Sequence, residues 1–182
     1  MATREPEADP PRHRVQVHPM LVPIPIGCWV AGAIFDIASH LVGDPGFLTR
    51  GATWLLTIGV ITAIIAGLAG LVDAMPIPPG SAANRAAVIH LSVATLTTLV
   101  QATNLMLRLG TPDDRPVPVP EVALSVLAFL LLVGTGYYGG MVVHRYGVRV
   151  PGAPQPARAE EKTAKPDKAS GDAPVGWMRE QK

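Results

Sequence analysis

Four apolar windows constrain this chain more than anything else in it: Met20–Val42, Ala52–Val72, Ala86–Leu109 and Val122–Val143. Each holds 21 to 24 residues, and at about 1.5 Å rise per residue that length crosses a hydrocarbon core of roughly 30 Å. The segments between them break helices. Gly43-Asp44-Pro45-Gly46, Met75-Pro76-Ile77-Pro78-Pro79-Gly80 and Gly110-Thr111-Pro112-Asp113-Asp114-Arg115-Pro116 are turn-forming runs that a helix does not continue through. Such short loops make neighbouring spans antiparallel. The expectation is an all-α integral membrane bundle of four helices spanning 18–150, with a polar N-terminal arm over 1–17 and a disordered, charged tail over 151–182.

Charge placement agrees with two solvents for one chain. All four lysines, Lys162, Lys165, Lys168 and Lys182, lie beyond Pro151. The spans carry too little charge for the polar outer face of a soluble bundle. A net charge of +1 with no concentrated basic face argues against nucleic-acid binding. The single cysteine, Cys28, excludes an intramolecular disulfide and a cysteine-based zinc site, and reads as buried and inert. Residues 1–17 have no apolar core and so are not a cleavable signal peptide; the first span is expected to direct insertion. The tail is too poor in large apolar residues to fold alone before Val175, Trp177 and Met178.

Orientation follows from arginine. With an even number of spans both termini share a side, which holds Arg12, Arg14, Arg85, Arg145 and Arg149 against Arg50, Arg108 and Arg115 opposite. The positive-inside rule then makes both termini cytoplasmic. Gly59, Ala63 and Gly67 with Ala66 and Gly70 in span two, and Gly136 and Gly140 in span four, predict tight crossings and a capacity to self-associate. Pro23 and Pro25 place the start of regular helix at about those residues, with His18 in an extended interfacial segment ahead of Pro19.

Ionisable groups inside the spans are costly, about 2.5 to 3.5 kcal/mol for an Asp at the bilayer centre, so they need partners. Antiparallel topology sorts them by depth. His18, Asp73, His90 and His144 gather at the cytoplasmic level; Asp36, His40, Gln101 and Asn104 form a second layer near the outer end, with Asp36 and His40 four residues apart on one face. On span three, His90, Ala94, Thr97, Gln101, Asn104 and Arg108 recur at spacings of four and three, a polar stripe that faces the bundle interior or a water-filled cavity.

For the outer layer the reading is structural: interhelical hydrogen bonds worth about 0.6 kcal/mol each on average that set register. For the inner layer two readings stand. Neutral imidazoles on facing helices can ligate haem iron axially, through His18, His90 and His144, or a transition metal, through His18, Asp73 and His90; or they simply remain hydrated at the interface. A proton path ranks below both, because only Thr97 and Thr98 lie between the layers. No nucleophile elbow, phosphate loop or catalytic carboxylate pair is present, so no enzymatic activity is expected.

The order and spacing of His18-Pro19, Ile24-Pro25-Ile26-Gly27, Phe35-Asp36, Ala69-Gly70-Leu71-Val72-Asp73, His90, Asn104, Gly139-Gly140 and Gly147-Val148-Arg149-Val150 resemble the bacterial membrane family numbered 2231 among the domains of unknown function, over about Val17 to Val150. The resemblance implies a bacterial inner-membrane protein with four helices and no established activity. Some relatives look fused to a Rieske-type iron–sulfur domain, which implies redox company; with no Cys-His pairs here, only a separate partner would supply such a cluster. Where the family pattern is Tyr-Arg-His, this chain has His144-Arg145-Tyr146. A two-position move turns a helical side chain by about 200°, which weakens His144 and favours His18 and His90 with Asp73. The function favoured by the sequence is a haem- or metal-binding redox module or its assembly factor, in the lipid bilayer with a redox or other membrane-complex partner. The alternative is a structural or accessory subunit without a cofactor.

Overall fold

The computed structural model describes residues 16–148, so the N-terminal arm before Gln16 and the charged tail lie outside the described residues. Four spans are present, His18–Ala38, Gly46–Ala74, Ala82–Arg108 and Val119–Arg145, each long and apolar enough to cross a membrane. The first consists of a single turn, α1 (His18–Leu21), and α2 (Pro23–Ala38); the others are α3 (Gly46–Ala74), α4 (Ala82–Arg108) and α5 (Val119–Gly140), the last running into a π-helical turn, Met141–Arg145. Contacts between α2 and α3 and between α4 and α5 are the most extensive, with α3 on α4 and α2 on α5 closing the ring. The helices therefore stand in chain order around a square, each beside its antiparallel neighbours.

The core is inverted relative to a water-soluble bundle. Gln101, Val117, Asn104, Thr97, Asp36 and Ser39 are the largest fully buried side chains, and all but Val117 are polar. Leucine, isoleucine and phenylalanine side chains such as Leu41, Phe47, Ile61, Leu68, Leu99 and Leu130 point outward. Lipid accepts that apolar surface without penalty, while each buried polar group needs a partner inside. The apolar centre is small: Trp29, Leu56 and Val60, flanked by Ala63, Ala102, Leu105 and Leu132.

Several boundaries differ from the sequence expectation, for local reasons. His18 is helical, not extended. Val17 precedes it and Pro19 falls in the first turn, where no amide partner is needed, and the His18 N–H donates to Asp73 Oδ2 at 3.3 Å. Helix α3 begins at Gly46, six residues before the apolar window, because its first turns have partners in the loop between α4 and α5: Thr49 Oγ1 donates to the Arg115 carbonyl at 2.8 Å and Arg50 pairs with Asp113 at 3.3 Å. Ser81 starts α4 by accepting the Asn84 N–H at 3.0 Å, after a turn in which Gly80 takes a positive φ of 77°.

The glycines also act differently from the expectation. A Cβ at Gly67, Gly136 or Gly140 would meet nothing within 4 Å, whereas one at Gly59 would collide with the Trp29 indole and one at Gly70 would come within 2.8 Å of the His18 ring. Rings of neighbouring spans occupy the notches. The interior crossings do not use Gly136 or Gly140.

Candidate functional site: two polar layers

At the end of the bundle opposite the termini, Arg108 closes α4 and turns its guanidinium inward. Its two terminal nitrogens donate to Asp36 Oδ1 at 2.8 Å and Oδ2 at 2.7 Å, the planar fork matching the carboxylate. Arg108 Nε donates to Asn104 Oδ1 at 3.0 Å, one helical turn back. Asn104 Nδ2 in turn reaches Ser125 Oγ at 2.9 Å and the Glu121 carbonyl at 3.1 Å, and Ser125 Oγ donates to Asp36 Oδ2 at 2.6 Å. Asp36 is 1% exposed and Arg108 6%. Spans one, three and four are thereby locked at one level by a network that neutralises its own charge.

The loop between α4 and α5 is strapped to the same end. The Val117 N–H donates to Ser39 Oγ at 3.1 Å, and His40 Nε2 donates to the Val117 carbonyl at 2.8 Å. Asp36 and His40, expected to share a face, therefore part company: Ser39 caps α2, and His40 lies in the turn beyond it, exposed, on a different partner. Gln101 and Asn104 are buried as the stripe predicted, along with Thr97 and Arg108. Sequence reasoning missed the Asp36–Arg108 pair, and missed Ser39, Glu121 and Ser125 altogether, although Glu121 and Ser125 are polar residues four apart in an otherwise apolar helix.

Three buried polar atoms have no hydrogen-bond partner among the described residues: Trp29 Nε1, Gln101 Oε1 and Glu121 Oε2. Leaving a buried group unpaired costs about 1–3 kcal/mol. Trp29 and Gln101 both line a small cavity beside the ion pair.

At the opposite end, His18 on α1 and His90 on α4 come together, their ring centroids 6.0 Å apart and their planes at 88°. The same device holds each ring. His18 Nδ1 lies 2.7 Å from the Ala66 carbonyl oxygen, and His90 Nδ1 lies 2.9 Å from that of Thr135. A carbonyl only accepts, so in each neutral ring the proton sits on Nδ1 and Nε2 keeps its lone pair. Four residues after each carbonyl stands a glycine, Gly70 and Gly139, where a Cβ would come within 2.8 Å of the His18 ring and 3.0 Å of the His90 ring. The missing side chain is what lets an imidazole from another helix reach the helical carbonyl.

Asp73 binds the main chain of His18 and so fixes where α1 begins. His144 is apart from this arrangement, exposed on the π-helical turn. Among the described residues no group of three or more His, Cys, Asp and Glu is gathered as a metal cluster. The pair His18–His90 stands as two nitrogen donors with Asp73 behind one of them.

The model of a family described as a predicted membrane protein, DUF2231, matches residues 14–152. No curated protein and no solved structure matches the chain significantly.

Proposed function

We infer that this chain, which belongs to the DUF2231 family of predicted membrane proteins, is a non-enzymatic inner-membrane module in which His18 and His90 hold haem iron or another transition metal. Its role would be electron transfer or the assembly of a redox partner. The observation that carries this reading is the shared anchoring of both rings through Nδ1. Metal-binding histidines are commonly oriented this way, the second nitrogen donating to a carbonyl so that the ligating nitrogen is basic and aimed.

The spacing supports the same reading. The ring centroids lie 6.0 Å apart, close enough that both imidazoles could hold one group. Two imidazole donors with no third metal-binding side chain gathered beside them among the described residues would suit haem iron, which brings its own nitrogen ligands, better than a bare ion.

The arginine distribution along the sequence supports cytoplasmic termini as part of this reading. Arg108 turns inward onto the buried Asp36 carboxylate and so acts as part of the bundle interior more than as an interfacial orientation charge, which supports that reading. A second reading, an accessory subunit without a cofactor, is favoured by the ion-pair network that locks three spans. Absorption spectra of the detergent-purified protein, oxidised and reduced, with metal analysis, separate the two. A Soret band or stoichiometric metal that disappears in His90→Ala supports the first; a colourless, metal-free protein that takes up no added haem leaves the second.

A further inference from the structure

The turn that carries His18 is joined weakly to the span it begins. In a continuous helix the carbonyls of Pro19 and Leu21 would accept from the amides four residues on, but those residues are Pro23 and Pro25, which have no N–H. Val22 therefore stands between α1 and α2, its N–H donating to the His18 carbonyl at 3.1 Å and its carbonyl accepting from the Ile26 N–H at 3.3 Å. What holds α1 comes from α3. The His18 N–H donates to Asp73 Oδ2, His18 Nδ1 donates to the Ala66 carbonyl, and the ring fills the notch at Gly70. No residue of α1 is buried, and Met20 is 69% exposed. A turn with so little buried, and with backbone bonds to its neighbour missing, belongs to the part of a structure that opens locally at low cost.

We propose that α1 is a latch: the turn swings about Val22–Pro25, and its closure on α3 is what brings His18 to His90. On opening, His18 leaves the Ala66 carbonyl and the Gly70 notch, while His90, in the long helix α4 and anchored on the Thr135 carbonyl of α5, stays in place. The pair is thus one fixed ring and one movable ring. Closed, the two rings stand in edge contact; open, the side of His90 that faces His18 is cleared, and a group too broad to pass between touching rings gains access to it. The latch consists of the protein's own contacts and is tested without a cofactor, so it stands or falls separately from the cofactor reading.

Spin labels on the full-length protein in lipid nanodiscs test it. With the single native cysteine removed by Cys28→Ala, a label at Met20→Cys reports on α1, and one at Ile34→Cys, 59% exposed on α2, reports on the same span beyond the hinge. The expected result is an immobile and a mobile component at Met20, with the ratio of mobile to immobile signal rising about fivefold in Asp73→Ala, the change that one lost hydrogen bond produces. The Ile34 spectrum and the helical circular dichroism should stay unchanged. Pro23→Ala/Pro25→Ala restores the two missing amides and should lower the mobile component. If Asp73→Ala does not fold, Gly70→Ala decides, because its methyl displaces the His18 ring from the notch, and a rise of the mobile component in that variant supports the latch. A Met20 spectrum indifferent to these variants, or a rise that the Ile34 label shares, overturns the proposal.

Discussion

Replacing Arg108 with methionine keeps much of the side-chain length but removes the guanidinium from the network. Asp36 then loses both its 2.8 Å and its 2.7 Å donors and keeps only Ser125, at 1% exposure. Removing one member of a buried ion pair costs about 3–5 kcal/mol, because the other charge stays behind in a low dielectric. Ordinary interhelical hydrogen bonds in membranes average about 0.6 kcal/mol, so this pair should outweigh any other single polar contact in the bundle. Asp36→Asn should fall in the same range, with Arg108 left uncompensated. The double variant Asp36→Leu/Arg108→Met removes both charges together and should recover most of the loss. Reversible unfolding in mixed micelles, followed by circular dichroism, gives the four corners of the cycle. Single losses below about 1 kcal/mol, or a double loss equal to their sum within about 0.5 kcal/mol, would refute the reasoning.

Other perturbations discriminate further. Gly59→Ala drives a methyl into the Trp29 indole and should cost about 1–3 kcal/mol by overpacking, whereas Gly67→Ala, with nothing within 4 Å, should lie within about 0.5 kcal/mol of the parent in the same assay. Gly70→Ala and Gly139→Ala should leave the fold in place but push His18 and His90 off their carbonyls, weakening haem uptake measured by absorption titration. His144→Ala should leave that titration unchanged and His90→Ala should abolish it. Arg50→Gln, which breaks an exposed pair with Asp113, should shift stability by no more than about 0.2–1 kcal/mol, and less at high salt.

What the sequence made legible was whatever repeats along a helix. The four spans are visible as hydropathy windows, and the stripe from Thr97 to Arg108 as spacings of four and three, because both depend only on helical geometry. Depth sorting brought His18 and His90 to one level for the same reason. The Asp36–Arg108 pair was within reach of that argument, since both residues sit at the same end of antiparallel spans, opposite the termini, and Arg108 ends the polar stripe. The sequence sets Arg108 in that stripe and also counts it as an interfacial orientation charge, so its partner stayed unassigned, and only its inward turn decides between the two. The carbonyls of Ala66 and Thr135 could not be read at all: every residue has one, and what makes these available is a glycine one turn later facing a ring from another helix. The glycine pattern was visible, but its use for side-chain insertion in place of helix crossing is a tertiary outcome. His40 shows the limit of spacing, because the helix stops at Ala38 before the four-residue relation to Asp36 can act.

The most direct test of the central claim is electron paramagnetic resonance of the ferric protein after haem loading. If His18 and His90 both hold the haem iron, the ferric protein should give a low-spin signal, lost in His18→Ala and His90→Ala and kept in His144→Ala. A protein that takes up no haem, or one whose bound haem is high-spin and indifferent to His18 and His90, would contradict the account.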